Sequence, residues 1–279
     1  MLDKVRNMET QTMQTSPSTQ TVNVGGYEIG GPNFTVIAGP CSIESYDQFL
    51  ETAKSVKASG AHILRGGIWK MRTSSKSFQG LGAASFDFIK AVCKETNMTL
   101  VSEITDIKQV EEIYDMVSMF QIGSRNMHNY ALLKELGKQK KPVLLKRGFG
   151  ALIDEWIKAS EYVTNEGNPN VILCERGIRT FETATRNTLD MNAVVYAKAN
   201  SPLPVIVDPS HAVGISKLVP NLALAAAAAG ADGVIVEVHP RPQEALSDGM
   251  QALTLDTFKD MMNKLDKVCA AIDKPLHKQ

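Results

Sequence analysis

One thiol, one imidazole and two carboxylates stand far apart in this chain: Cys41 in AGPCS, His211 in DPSH, Glu237 in VEVHP and Asp248 in SDGM. Brought together, they would make a divalent-metal site of mixed hardness. A second set is basic: Arg65, Lys70 and Arg72 in LRGGIWKMRTS, then Arg125 in GSRNM, Lys146 in LLKRG and Arg176 in CERG. Six cations of this kind on one rim would suit an anionic ligand carrying more than one phosphate. In the same long stretch, glycines permit close backbone approach, and Thr73 and Ser74 add hydroxyl donors suited to phosphate. The stretch lacks the Gly-x-x-x-x-Gly-Lys-Ser/Thr pattern of a nucleotide-binding P-loop. His239 competes with Glu237 as a metal ligand and ranks below it, as a loop or supporting residue.

Such distant residues meet only if the fold brings them together. Short β-branched or apolar runs recur along the chain: FTVIAGPCS, HILRGG, TLVSEIT, MFQIGSR, PVLLKRG, VILCERG, PVIVDPSH and GVIVEVHP. Each precedes a stretch with helical spacing, such as YDQFLETAKSVKASG or SFDFIKAVCKET. Near-continuous apolar strands alternating with helices indicate a parallel sheet covered by helices. Eight such units fit a (β/α)8 TIM barrel better than an open sheet. Each run ends in a charged, imidazole or thiol side chain, at the C-terminal face where barrel enzymes keep their chemistry. In a closed barrel the first, seventh and eighth strands are neighbours, so Cys41, His211, Glu237 and Asp248 can meet. The segment TVNVGGYEIGG reads as a hairpin with a Gly-Gly turn, closing the barrel's bottom. The expected organisation is a tail or linker remnant over residues 1–20 and one catalytic barrel over 21–279.

The 279 residues carry 30 basic and 30 acidic side chains, a balance that argues against a nucleic-acid footprint. No apolar run approaches the roughly 20 residues that span a bilayer, and MLDKVRNMETQTMQTSPSTQT has no apolar core of a signal peptide. Four cysteines make no disulfide scaffold. Cys93 and Cys269 read as core residues, while Cys174, at a strand mouth, is an unpaired thiol or a disulfide partner of Cys41. A reduced cytoplasmic protein with no membrane or nucleic-acid partner is expected.

The motifs AGPCS, LRGG, KMRTS, SFQGLG, GSRNM, LLKRG, CERG, DPSH, VEVHP and SDGMQ, in this order, resemble those of 3-deoxy-D-arabino-heptulosonate 7-phosphate (DAHP) synthase. The likeness covers roughly residues 20–270 and is closest to the compact class I beta branch, whose core also occurs fused to or paired with chorismate mutase. The resemblance implies condensation of phosphoenolpyruvate with erythrose 4-phosphate and water, giving DAHP and phosphate, the first step of the shikimate pathway to aromatic amino acids. It implies Cys41, His211, Glu237 and Asp248 as ligands of a divalent metal, with Mn²⁺ first among Mn²⁺, Fe²⁺, Co²⁺ and Zn²⁺. It implies that Arg125, Lys146 and Arg176 contact the phosphoenolpyruvate phosphate and that Arg65 and Lys70 surround its carboxylate and reacting carbons. Arg72, Thr73 and Ser74 fall where the family holds the aldose phosphate, and Glu103 in SEIT matches a carboxylate near the attacking water. Lys70 and Glu103, with His211, are the expected catalytic side chains.

One departure is visible: the family's Lys-Pro-Arg-Thr reads Lys70-Met71-Arg72-Thr73 here, which frees the backbone before Arg72. Three rival readings remain. The sister enzyme 3-deoxy-D-manno-octulosonate 8-phosphate synthase uses arabinose 5-phosphate, but its second loop normally carries a Lys-Ala-Asn-Arg-Ser type sequence. A Schiff-base aldolase would use Lys146. A barrel acting as the regulatory partner of a chorismate mutase would need no complete site. By analogy a homo-oligomer is expected.

Overall fold

The computed structural model describes residues 18–278. A hairpin, β1 (Val22–Val24) and β2 (Tyr27–Ile29), precedes eight parallel strands. These are β3 (Thr35–Gly39), β4 (Ile63–Arg65), β5 (Leu100–Ile104), β6 (Met119–Ile122), β7 (Val143–Lys146), β8 (Val171–Glu175), β9 (Val205–Val207) and β10 (Gly233–Glu237). They close in chain order, β10 pairing with both β9 and β3, so the expected barrel is the observed one. Residues 1–17 of the expected tail lie outside the described residues. At its end, Gln20 is held by a backbone hydrogen bond of 2.7 Å to Pro202, and Lys198 donates to the Thr19 hydroxyl at 3.2 Å.

Alternation along each strand separates two cores. Every strand sends an inward side chain into the inner cluster: Ile37, Ile63, Val101, Met119, Leu144, Ile172, Ile206 and Ile235, with Cys174 a second from β8 at its upper edge. Val22, Val24 and Ile29 pack against them, so the hairpin plugs the barrel's bottom as its sequence suggested. Its register pairs Val24 with Tyr27, leaving Gly25 and Gly26 as a two-residue loop with φ of +60° and +96°, a turn that favours glycine at both positions. Outward residues such as Val36, Leu64, Phe120 and Val234 face the helices, meeting Phe49, Ile89, Trp156 and Phe258 in the outer cluster. Helix starts are capped by side chains: Ser45, Asn129, Asp190, Asp208 and Thr254 each accept a backbone N–H of the first turn.

The bottom also carries a histidine whose protonation state the backbone dictates. The Val36 N–H donates to Nδ1 of His62 at 2.8 Å, so that nitrogen must accept and the ring is neutral. Nε2 then donates to the His277 carbonyl at 3.3 Å, and the rings of Tyr27 and His277 lie 5.3 and 5.1 Å away. Burial, reinforced by the neighbouring His277, pulls the His62 pKa down to about 4. Between that value and the ordinary one near 6.5 the unfolded chain binds the extra proton, so stability is full above the unfolded pKa and falls with pH through this window. Unfolding free energy is expected to drop by about 2 kcal/mol between pH 7 and pH 5 from this group. Denaturant titrations at the two pH values check this; His62→Asn, which keeps an acceptor for Val36, should flatten the dependence.

Candidate active site

Two residues beyond the apolar inner cluster, the inward face of the strands changes character. The same period of two that places Ile63, Val101, Met119, Leu144, Ile172, Ile206 and Ile235 inside puts Arg65, Glu103, Gln121, Lys146, Cys174, Asp208 and Glu237 next in line. On β3 the equivalent residue is Gly39, where a Cβ would lie 2.0 Å from the Arg65 carbonyl oxygen at φ +153°. Only glycine lets the chain pass there, and Cys41 follows directly on the loop.

Cys41, His211, Glu237 and Asp248 are brought together as the strand order requires, with one potential ligand atom from each lying within 4.8 Å of all the others. Asp208 caps the short helix Pro209–Val213 and accepts from Nδ1 of His211 at 2.7 Å. This fixes the tautomer and turns Nε2 toward Glu237, 3.1 Å from its Oε1. Burial holds the His211 pKa below the usual imidazole value, against the pull of Asp208 and Glu237, so the ring presents a lone pair. Burial and then Glu237 push the Cys41 thiol up to about 12, so it keeps its proton and donates to Asp248 Oδ2 at 3.1 Å. The Lys70 ammonium sits 2.6 Å from the same sulfur and 3.5 Å from Asp248. Against burial, the Lys70 ammonium leads in keeping the Asp248 carboxyl well below its usual range. A lone pair and a carboxylate oxygen face to face, beside a thiol and a second carboxylate, are a donor set that fits a divalent cation.

Above this group opens a cleft of about 260 Å³. Lys70, Arg72, Thr73, Ser74, Glu103, Arg125, Lys146, Arg176, His211 and Asp248 all line it. The two arms of the anion set touch: Arg125 donates to the Thr73 hydroxyl at 3.2 Å, and Arg72 donates to Ser247 beside Asp248. Lys146 is paired with Asp208 at 2.5 Å, both buried, so its amine is not the free one that imine formation needs. Arg65 lies beneath the cleft instead of on its wall, 4 % exposed, its Nη1 2.7 Å from Glu237. Cys41 and Glu237 are likewise buried below the opening.

His239 points away from the four donors, with Nε2 3.4 Å from Glu44 and Nδ1 accepting from the Arg241 backbone. All four cysteines are free thiols; Cys174 and Cys269 are buried and Cys93 is half-buried against the outer core. Several cleft residues escaped the sequence reading. Asp208 ties Lys146 to His211; Arg186 reaches Gln251 at 2.7 Å and Asp248 at 3.4 Å; Gln121 donates to Glu103 at 3.3 Å; and Phe149 forms part of the wall. Glu44 secures the loop before Asp248 by accepting the Leu246 N–H at 2.8 Å. The signal for Asp208 was the Asp-Pro pair at a strand end, a helix start that also supplies a charge.

Residues 12–271 match the family described as DAHP synthetase I. The chain belongs to this family. A phospho-2-dehydro-3-deoxyheptonate aldolase from Thermotoga maritima is 45% identical over 256 residues, 92% of this chain and 76% of the relative. A crystal structure of that name from the same organism superposes with a TM-score of 0.90 at 43% identity, covering 93% of this chain and 76% of the other. A truncated 3-deoxy-D-arabino-heptulosonate 7-phosphate synthase from T. maritima gives 0.87 at 40% identity, covering 95% and 97%. A 2-dehydro-3-deoxyphosphooctonate aldolase from Bradyrhizobium is more distant, 31% identical over 261 residues, with 85% of this chain and 89% of the relative covered. The four-carbon reading is therefore favoured over the five-carbon one.

The buried Lys146–Asp208 pair makes a measurable demand. Asp208→Asn leaves the ammonium without its counter-charge and should cost about 3 kcal/mol or more in denaturant unfolding. Asp154→Asn, which breaks the exposed Lys158–Asp154 pair, should cost less than about 0.5 kcal/mol.

Proposed function

We propose that the protein condenses phosphoenolpyruvate with erythrose 4-phosphate and water, releasing DAHP and inorganic phosphate. The observation that carries the reading is the single cleft in which two anion-binding arms meet over a four-donor cation site. Arg125, Lys146 and Arg176 bind the phosphoenolpyruvate phosphate and Lys70 orients its carboxylate, while Arg65, buried beneath the cleft, holds Glu237 in place. Arg72, Thr73 and Ser74 hold the aldose phosphate, so that the aldehyde carbon approaches C3. Cys41, His211, Glu237 and Asp248 would hold a divalent ion, Mn²⁺ the first candidate, which when bound would supply Lewis-acid polarisation of the aldehyde oxygen.

As the C3–C1 bond forms, C2 becomes electron-poor, and water adds there. Glu103 lines the cleft with its carboxylate held by Gln121, placed to take a proton from that water. Against the desolvation of its site, Glu103 and the neighbouring carboxylates Glu237 and Asp248 keep Lys70 an ammonium, placed to give a proton to the developing alkoxide. The C2–O bond of the hemiketal phosphate then breaks, and the departing phosphate leaves onto Arg125, Lys146 and Arg176. His211 acts as a ligand whose ring Asp208 orients. The reading includes a cytoplasmic homo-oligomer, with a chorismate mutase as a candidate partner. Among the described residues no helix is long and apolar enough to cross a membrane.

Loss of phosphoenolpyruvate absorbance is expected with erythrose 4-phosphate and not with arabinose 5-phosphate, to stop with EDTA and to return with added Mn²⁺. Turnover with the five-carbon sugar would reassign the aldose. No turnover with either in metal-replete protein would leave only the regulatory reading. Arg72→Ala should raise KM for erythrose 4-phosphate at least about tenfold while changing KM for phosphoenolpyruvate by less than about threefold, as expected for loss of one charged phosphate contact. Equal changes in both would remove Arg72 from the aldose arm.

A further inference from the structure

Three guanidinium groups share one aromatic ring at the wall of the cleft. Phe149 follows β7 in RGFGA, half-buried and facing the opening. Cζ of Arg125 lies 5.5 Å from its ring centroid, and those of Arg176 and Arg179 lie 4.8 Å from it. Arg125 comes from the turn after β6, the other two from the loop after β8, and Arg179 is tied to Phe149 by a backbone N–H to its carbonyl at 2.7 Å. The ring therefore joins two separate loops through their cations.

What these arginines lack is a carboxylate. The buried cations Arg65, Lys146 and Arg147 each hold one at 3.0 Å or less. Among the described residues Arg125, Arg176 and Arg179 form no ion pair, although Arg176 is only 2 % exposed. Its N–H groups go to the carbonyls of Gly177 and His211 at 3.3 and 3.1 Å, and Arg125 reaches only the Thr73 hydroxyl. Burial pulls the Arg176 pKa down, against the opposing pull of Asp208 nearby. A carboxylate bound directly to these groups would compete with an incoming phosphate. The negative face of an aromatic ring attracts guanidinium without neutralising it. Phe149 also belongs to neither apolar cluster, so packing the core does not account for it.

We propose that Phe149 is a positioning residue for the phosphate arm: its ring holds Arg125 and Arg176 in the arrangement a phosphate monoester needs, leaving their charge unspent. Arg179, exposed at the rim, completes the stack from the solvent side. The inference rests on the reading that Arg125 and Arg176 take the phosphoenolpyruvate phosphate.

Calorimetric titration of metal-loaded protein with phosphoenolpyruvate, and separately with inorganic phosphate, tests it together with steady-state kinetics. Phe149→Leu should weaken both ligands about tenfold, and Phe149→Tyr should restore affinity to within about threefold, because only the aromatic face is at issue. KM for phosphoenolpyruvate should rise with the Kd, while KM for erythrose 4-phosphate and the unfolding midpoint stay put. Phe149→Leu that binds phosphoenolpyruvate like the wild type overturns the proposal. So does a loss shared equally by both substrates, or one that tyrosine fails to rescue. A wild-type protein that binds neither phosphoenolpyruvate nor phosphate would instead overturn the functional reading beneath it.

Discussion

Charge buried at the strand ends must be compensated, and the whole upper half of the barrel follows from how that is done. Above the inner apolar cluster, Arg65 is matched by Glu237, Lys146 by Asp208, and Arg147 by Glu175 and Asp190. Leaving any of these charges without its partner inside the barrel would be strongly destabilising. Lys70 completes the pattern from the loop, lying between the Cys41 sulfur and Asp248. Of the basic residues lining the cleft, Arg72, Arg125 and Arg176 have no carboxylate partner among the described residues.

The same constraint explains why one residue can serve two neighbours. Asp208 accepts from Lys146 and from His211, and its own position is set by capping the helix Pro209–Val213. A single carboxylate thus keeps Lys146 of the cleft wall and His211 of the four-donor group in fixed relation. Glu237 does the equivalent on β10, meeting Arg65, His211 and the amide of Gln251. The two halves of the chemistry are coupled through two buried acids rather than through the cleft itself.

Much of this was legible in the sequence because strands have a period of two and barrels close. The apolar runs gave eight strands, and closure alone made Cys41, His211, Glu237 and Asp248 neighbours although no spacing linked them. The residues that escaped did so for physical reasons. Asp208 looks like a cap before proline, which it also is; its pairing with Lys146 reaches past β8 and no local pattern reports it. Phe149, Arg179 and Arg186 sit in loops, where no periodicity assigns a direction to a side chain. Arg65 was read as rim because it ends a strand, yet its inward side chain meets Glu237 before it can reach the opening.

The replacement of the family's proline by Met71 shows how local such an effect can be. The loop is pinned at its base: Trp69 and Gly80 form an antiparallel bridge, Lys70 N–H donates to the Gln79 carbonyl at 2.8 Å, and the Trp69 ring meets Phe86 edge-on at 5.9 Å. Gly80, at φ +94°, lets the strands of the loop approach so closely that a Cβ would stand 2.2 Å from the Ile68 carbonyl oxygen. Lys70 is therefore fixed by the base whatever follows it. Beyond it, the backbone at Met71 loses the φ restriction a proline would impose, and Arg72 and Thr73 depend on their contacts with Ser247 and Arg125 for their positions. Those contacts are made by the two arms of the cleft itself. The freedom introduced at Met71 thus falls on Arg72 and Thr73 and spares the end where Lys70 meets the thiol.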